Sequence, residues 1–222
     1  MEFDLTIALP KGKLFDPAAQ LLGKAGFNTQ GFSDESRTLV LEDRANKTRF
    51  IICRPTDIPT YVEHGAADLG IVGKDSIIEA AKNLYELVDL KFGFCRFVIA
   101  APREVLNSKG EYDWKPELRI ATKFPAIAKE YLQKKGLQGE IIKLHGNIEL
   151  APRVGLAELI VDLVSTGKTL KENDLVPLAE IGQATARLVV NRASYRLKSK
   201  EINDLVSKIK ILLQIEGGGE TL

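Results

Sequence analysis

The sequence predicts an α/β fold, because strand-length apolar runs alternate with amphipathic helical stretches along its 222 residues. Hydrophobic residues make up 45% and charged residues 27%, the balance of a folded globular protein of one large or two small domains. An internal similarity adds to this: residues 65–71 (GAADLGI) and 155–161 (GLAELIV) both read as glycine, small residue, acid and strand. We therefore predict two similar α/β lobes, with ligands bound at loops that follow strands.

The strands are predicted from short runs rich in β-branched and other apolar residues. They fall at residues 5–9, 38–41, 48–53, 69–72, 96–101, 118–121, 140–144, 159–164, 174–181 and 186–190. Helices are predicted at residues 15–25, 57–64, 75–82, 125–136 and 198–214. In the first helix, Asp16 is the expected N-cap, Pro17 lies in the first turn and Gly26 ends the helix. The last helix is predicted from one apolar face that includes Ile202 and Ile209.

Composition excludes several classes of protein. The net charge of +1 gives no bulk electrostatic attraction for nucleic acid. No apolar run reaches the roughly 20 residues of a membrane-spanning helix, so no membrane partner is expected. The acidic start lacks the basic and apolar segments of a secretory signal, which predicts a cytoplasmic protein. Cys53 and Cys95 lie in apolar runs and are interpreted as reduced core thiols; with only two histidines, a zinc site is not expected.

The most informative segment is residues 160–170 (IVDLVSTGKTL), where a strand leads into a small, hydroxyl-rich turn and then a helix. Backbone N–H groups in such a turn, together with the helix dipole, suit a phosphate monoester. The residues predicted to hold the phosphate are Ser165, Thr166, Gly167, Lys168 and Thr169.

This segment is not a Walker P-loop, because that pattern needs a glycine where Asp162 stands. It matches better the strand–acid–loop signature that binds phosphoribosyl diphosphate (PRPP), in which the acid holds ribose hydroxyls. The usual signature has two adjacent acids, and Val161 replaces the first. A helix-capping turn without a ligand remains the alternative.

Two basic segments follow predicted strands. Lys11 and Lys13 flank a glycine and could face a polyphosphate, or they could belong to a solvated turn. Arg54 directly follows a buried strand, where its guanidinium could bind pyrophosphate through two hydrogen bonds. The alternative for Arg54 is an ion pair with Asp57.

Two further segments contain candidate site residues. Gly73 and Asp75 follow a short strand whose glycines permit close approach of a ligand or of hinge backbone. Glu149 follows another strand and could bind ribose hydroxyls or help order a magnesium ion. The neighbouring His145 is interpreted as a loop residue rather than as a general base.

Five of these segments occur in an order that resembles the ATP phosphoribosyltransferase family, the first enzymes of histidine biosynthesis. They are residues 9–14 (LPKGKL), 54–59 (RPTDIP), 65–73 (GAADLGIVG), 148–153 (IELAPR) and 162–170 (DLVSTGKTL). The resemblance runs from about residue 5 to residue 214. The chain ends without room for the regulatory domain of the long form, so it resembles the short form.

The resemblance implies a two-lobed α/β fold like that of type II periplasmic binding proteins, with a central cleft. Lobe I would comprise residues 1–92 plus 183–222, and lobe II residues 93–182 with the PRPP phosphate loop. The short form works with a regulatory subunit similar to histidyl-tRNA synthetase, in a hetero-octamer; alone, we expect a homodimer.

The implied reaction condenses ATP with PRPP to N1-(5-phosphoribosyl)-ATP and pyrophosphate, with Mg²⁺ held mainly by the substrate phosphates. By resemblance, Asp162 to Thr169 and Glu149 bind PRPP. Arg54 and Lys11, the catalytic candidates, would face pyrophosphate or the ATP phosphates, and Lys13, Gly73 and Asp75 would bind ATP or pyrophosphate. The alternatives are a non-catalytic solute-binding protein of the same fold and a ligand sensor with an inactive site.

Overall fold

The structure, a computed structural model, describes residues 3–115 and 117–217. Contacts divide the chain into two compact units. Unit 1 consists of the residues up to Gly93 together with those from Thr185, and unit 2 is Phe94–Ala184. The boundaries of the two units lie between residues 93 and 94 and between residues 184 and 185. The resemblance places these boundaries between residues 92 and 93 and between residues 182 and 183. Each unit is therefore described by itself.

The regular elements alternate along the chain much as the sequence predicts. The strands are β1 (Leu5–Pro10), β2 (Val40–Asp43), β3 (Thr48–Cys53), β4 (Leu69–Gly73), β5 (Leu84–Asp89), β6 (Cys95–Pro102), β7 (Leu118–Thr122), β8 (Gly139–Lys143), β9 (Leu159–Val164), β10 (Leu175–Ala184) and β11 (Ala186–Asn191). The helices are α1 (Phe15–Lys24), α2 (Ile58–Glu63), α3 (Lys74–Ala80), α4 (Pro125–Lys135), α5 (Leu150–Arg153), α6 (Lys168–Glu172), α7 (Arg192–Leu197) and α8 (Ser199–Gly217). A 3₁₀ turn spans Arg103–Val105.

Unit 1 is built on a mixed six-stranded sheet in the order β2-β3-β1-β4-β11-β5. Strand β1 is parallel to β3 and β4, whereas β11 runs antiparallel to β4 and β5. Since β1, β3 and β4 point the same way, their carboxyl ends meet at one edge of the sheet, where α/β proteins bind ligands.

Unit 2 is built on a mixed five-stranded sheet in the order β10-β6-β9-β7-β8. Strand β7 is parallel to β8 and β9, and β6 runs antiparallel to β9 and β10. Read from the other side, this order repeats the series β3-β1-β4-β11-β5 of unit 1. The internal similarity in the sequence therefore reflects two sheets of the same design.

Both faces of each sheet are covered by a core. In β1, Ile7 packs into one cluster and Ala8 into the cluster on the opposite face, as alternation along a strand requires. In β9, Ile160 and Leu159 divide in the same way. Two-sided burial explains why these strands appear in the sequence as continuous apolar runs.

The predicted elements are confirmed with boundaries shifted by a few residues, and the structure adds the short helices α5 and α7, which were not predicted. Helix α1 begins at Phe15 after the N-cap Leu14, so Asp16 is not the cap; it lies in the first turn, where its charge favours the helix dipole. Strand β5 was not predicted, because its charged positions hide the apolar pattern at the sheet edge. Among the described residues, no helix is both long and apolar enough to cross a membrane.

Candidate functional site

In unit 2, the parallel strands β8, β7 and β9 end side by side. The segments after β7 and β8 bring Lys123 and Glu149 to this edge of the sheet, and the loop 165–167 follows β9. Asp162 lies in the second half of β9 itself. The sheet topology therefore collects the predicted acids and the predicted phosphate loop within one unit.

The loop 165–167 presents unused backbone donors. Gly167 has a φ of +77°, a conformation that favours glycine. Within the described residues, the N–H groups of Ser165, Thr166 and Gly167 donate to no protein acceptor. Because α6 is only five residues long, these N–H groups and the neighbouring hydroxyls, rather than a long helix dipole, would bind an anion.

Two contacts of Lys168, one of the predicted phosphate-binding residues, are made within the loop and α6. The Lys168 N–H approaches Thr166 Oγ1 at 3.5 Å, a long and weak hydrogen bond. Lys168 Nζ lies 3.7 Å from Glu172 Oε1 as an exposed pair one helical turn apart. Thr169 is exposed at the start of α6. The loop is open to an added ligand.

Asp162 and Glu149 form a pair of interacting acids. Burial raises the pKa of the Asp162 carboxyl, and the negative charge of Glu149 adds to the rise. The Leu163 N–H, which donates to Asp162 Oδ1 at 2.8 Å, and the charge of Lys123 act in the opposite direction. Both carboxyls are half-buried, so together they can accept hydrogen bonds from vicinal hydroxyls.

A buried hydroxyl fixes the turn after β7. Thr122 Oγ1 donates to the Val161 carbonyl at 2.6 Å and accepts the Phe124 N–H at 2.9 Å. Thr122 is fully buried and pairs in register with Val161 of β9. This arrangement holds Lys123 beside Asp162.

In unit 1, the predicted cations Lys11 and Arg54 line one pocket of about 400 Å³. The Lys11 N–H donates to the Cys53 carbonyl at 2.9 Å, which ties the ends of β1 and β3 together. Leu39 and Tyr61 contribute apolar surface to the same pocket. The pocket therefore combines positive charge with a face suited to a planar or apolar group.

The predicted alternative for Arg54, an ion pair with Asp57, does not form within the described residues. Asp57 instead donates its N–H to the Arg54 carbonyl at 2.9 Å and accepts a hydrogen bond from the Thr56 hydroxyl at 3.3 Å.

Burial, and then the charge of Asp57, raises the pKa of the Cys53 thiol to about 11. Cys53 is thus a protonated thiol at neutral pH.

The remaining predicted residues of unit 1 are Lys13, Gly73 and Asp75, which lie at or after the carboxyl ends of β1 and β4. Lys13 is exposed in the turn before α1. Gly73 ends β4 and precedes α3, and an added Cβ there would collide with the Asp75 carboxylate. Asp75 therefore turns back toward the start of its own helix.

In unit 2, His145 is exposed in the loop before Glu149.

Sequence reasoning missed Lys123, Thr122 and Arg96. Arg96 lies opposite Val164 in the pairing of β6 with β9, and it lines a pocket of about 650 Å³ that also includes Gly167. Arg96 Nη1 lies 3.4 Å from Glu180 Oε2. The available signal was a charge inside an apolar run, in FCRFV at residues 94–98.

Comparison with known proteins decides the family. A family model described as ATP phosphoribosyltransferase matches residues 54–211. The chain belongs to the ATP phosphoribosyltransferase family. Its function is that of the family, the condensation of ATP with PRPP to N1-(5-phosphoribosyl)-ATP and pyrophosphate in the first step of histidine biosynthesis.

Curated relatives named ATP phosphoribosyltransferase extend over nearly the whole chain. One from Moorella thermoacetica is 57% identical over 209 residues, covering 93% of this chain and 92% of the relative. One from Desulfitobacterium hafniense is 53% identical over 214 residues, covering 94% of this chain and 96% of the relative.

Solved structures confirm the fold expected of an ATP phosphoribosyltransferase. The ATP phosphoribosyl transferase (HisG:HisZ) complex from Thermotoga maritima contains a chain with a TM-score of 0.80 and 36% identity, covering 96% of this chain and 98% of that one. The substrate binding protein of an amino acid ABC transporter matches with a TM-score of 0.59 at 14% identity, which shows a shared fold alone. The fold is that of the type II periplasmic binding proteins, as the sequence predicts.

Proposed function

We propose that the strand ends of unit 2 form the PRPP site of this phosphoribosyltransferase. The observation that carries the proposal is the open loop 165–167, with three free N–H groups, next to the interacting acids Asp162 and Glu149. The loop would bind the 5′-phosphate through these N–H groups and the hydroxyls of Ser165, Thr166 and Thr169. The two carboxylates would accept hydrogen bonds from the ribose hydroxyls.

Transfer then requires little covalent chemistry from the protein. The lone pair of adenine N1 forms a bond to ribose C1, while the C1–O bond breaks and its electrons leave with pyrophosphate. Negative charge grows on that leaving group, so cations that contact it stabilise the transition state more than the ground state. We assign this role to Lys11 and Arg54, which share one pocket in unit 1.

Several predicted residues have more general roles in this proposal. Lys168 adds positive charge near the 5′-phosphate, although it also pairs with Glu172. Lys13, Gly73 and Asp75 follow the parallel strands of unit 1 and are assigned to the phosphates of ATP or to pyrophosphate. An exposed lysine at position 13 would contribute a diffuse charge rather than a two-pronged contact.

A magnesium ion would enter with its substrates. The described residues include no group of three or more His, Cys, Asp and Glu side chains placed to hold a metal ion. The phosphate oxygens of PRPP and ATP are hard ligands that Mg²⁺ prefers. The ion would neutralise charge on the diphosphate before it leaves.

The proposal extends to a partner subunit and an assembly. Because the Thermotoga maritima structure is a HisG:HisZ complex, we propose that this chain also binds a HisZ-like regulatory subunit, one that resembles histidyl-tRNA synthetase. The proposed assembly is a hetero-octamer, and the chain alone would be a homodimer. We propose that the reaction takes place in the cytoplasm, with ATP and PRPP as substrates.

The proposal is tested by the release of pyrophosphate from ATP, PRPP and Mg²⁺, with each component omitted in turn. The purified chain is assayed alone and with the regulatory subunit. We expect release only when all three components are present. Absence of pyrophosphate release in both preparations would contradict transferase activity. PRPP binding without turnover would favour a ligand sensor. Binding of an unrelated small solute instead would favour a solute-binding protein.

A further inference from the structure

Lys123 directly follows β7, and the neighbouring strand β9 carries Asp162. The register pairs Thr122 with Val161, so the next residues of the two parallel strands, Lys123 and Asp162, lie side by side at one edge of the sheet. The two hydrogen bonds of the Thr122 hydroxyl hold the turn in place. The backbone therefore presents Lys123 from a fixed position.

The charges around Asp162 are unbalanced without Lys123. Asp162 is half-buried, and Glu149 acts on it as a like charge. Both effects disfavour the ionised carboxylate, whereas the Leu163 N–H, which donates to Asp162 Oδ1 at 2.8 Å, and the positive charge of Lys123 favour it. The Lys123 side chain is exposed, and within the described residues it forms no hydrogen bond or ion pair that would draw it elsewhere.

We propose that Lys123 is a positioning residue for PRPP, which steadies the Asp162 carboxylate beside Glu149 so that both carboxylates accept hydrogen bonds from the ribose hydroxyls. This inference rests on the proposed PRPP site. It assigns Lys123 to recognition of the ribose rather than of the phosphates, because the loop 165–167 supplies its own donors for the 5′-phosphate. The cations assigned to pyrophosphate belong to a separate pocket in unit 1.

Two inhibitors separate these roles. Ribose 5-phosphate carries the hydroxyls and the 5′-phosphate, whereas inorganic pyrophosphate carries neither. If Lys123 acts through Asp162, its removal weakens inhibition by ribose 5-phosphate and leaves inhibition by pyrophosphate unchanged. If Lys123 instead contacted the diphosphate, the opposite pattern would result.

The experiment measures steady-state kinetics of the full chain with its regulatory subunit, for the wild type, Lys123→Met and Lys123→Arg. Methionine keeps the aliphatic length and removes the charge. We expect Lys123→Met to raise KM for PRPP by about fivefold and to leave KM for ATP unchanged, with recovery in Lys123→Arg. An unchanged KM for PRPP, or weakened inhibition by pyrophosphate alone, would overturn the inference.

Two further variants make the result decisive. Lys129→Met removes an exposed lysine from α4 and should leave KM for PRPP unchanged. Asp162→Asn tests the proposed site itself. If Asp162→Asn raises KM for PRPP and Lys123→Met does not, only the role of Lys123 fails; if neither variant changes it, the proposed site fails as well. Thermal unfolding confirms that each variant is folded.

Discussion

Asp68 and Glu158 make the same contact in the two units. The Asp68 carboxylate accepts the Thr6 N–H at 2.8 Å, and the Glu158 carboxylate accepts the Arg119 N–H at 2.9 Å. Each acid also donates its own N–H to the carbonyl of that same partner, at 2.8 and 3.1 Å. In both units, an acid that precedes a central strand thus fastens the neighbouring parallel strand.

The two acids differ in their surroundings. The Asp68 side chain is 8% exposed and also accepts hydrogen bonds from Ser194 Oγ at 2.6 Å and Lys198 Nζ at 2.8 Å. The Glu158 side chain is 32% exposed and pairs with the Arg119 guanidinium. Asp68 therefore accepts hydrogen bonds from three different residues, and its carboxylate is less accessible to water than that of Glu158.

We expect Asp68→Ala to destabilise the protein by about 3 kcal/mol, because it leaves the buried Ser194 hydroxyl and the part-buried Thr6 N–H without their acceptor. Glu158→Ala should cost clearly less, since water can reach its partners. Urea unfolding followed by circular dichroism measures both changes. Equal losses for the two variants would contradict the difference in burial.

The pair Arg119–Glu158 should make stability depend on pH. Hydrogen bonding from Arg119 lowers the pKa of the Glu158 carboxyl below its ordinary value of 4.5. A pKa lower in the folded than in the unfolded state stabilises the fold above the unfolded pKa, and this stabilisation is lost as pH falls. We expect the Tm difference between wild type and Glu158→Gln to be largest at neutral pH and to shrink below 4.5. A difference that grows on acidification would refute this.

The open conformation of the phosphate loop can be tested with two matched glycines. Gly167 and Gly110 both have a φ of +77°, and an added Cβ would meet no atom closer than 3.9 Å at either position. Alanine at each should therefore cost about 1 kcal/mol of backbone strain. We expect only Gly167→Ala to raise KM for PRPP. Equal KM values for PRPP in the two variants would show that the loop 165–167 does not bind PRPP.

Arg54→Met should lower kcat by at least about tenfold while leaving Tm unchanged. Arg54 forms no ion pair with Asp57 in the described chain, so its loss should not weaken the fold. Arg44→Met, which removes an exposed arginine after β2, is the matched control and should leave kcat unchanged. A fall in Tm with unchanged kcat would assign Arg54 a structural role instead.

Local patterns predicted much of the fold and part of the site. The run from Asp162 to Thr169 is contiguous, so its strand, acid and loop could be recognised without knowledge of the fold. Two-sided burial makes strands such as β1 and β9 conspicuous. Strand β5 escaped prediction because it lies at a sheet edge, where Glu86 and Asp89 interrupt the apolar pattern.

The missed residues depend on contacts between distant parts of the chain. Lys123 approaches Asp162 only because β7 and β9 are paired in one register, and 39 residues separate Thr122 from its partner Val161. Arg96 reaches the loop by the pairing of β6 with β9. Periodicity does not specify which strands become neighbours, so neither residue stood out in the sequence.

The most direct test of the PRPP site is the dissociation constant for PRPP of Asp162→Asn, measured by calorimetry with Tm determined in parallel. Burial raises the pKa of Asp162, so its ionised form destabilises the fold at neutral pH, and asparagine should raise Tm by a few degrees.

Asp174→Asn removes the same charge from an exposed position of unit 2 and serves as the control. We expect PRPP affinity to fall at least about tenfold in Asp162→Asn and to stay unchanged in Asp174→Asn. Unchanged affinity in Asp162→Asn, or an equal loss in both variants, would contradict a PRPP site at the strand ends of unit 2.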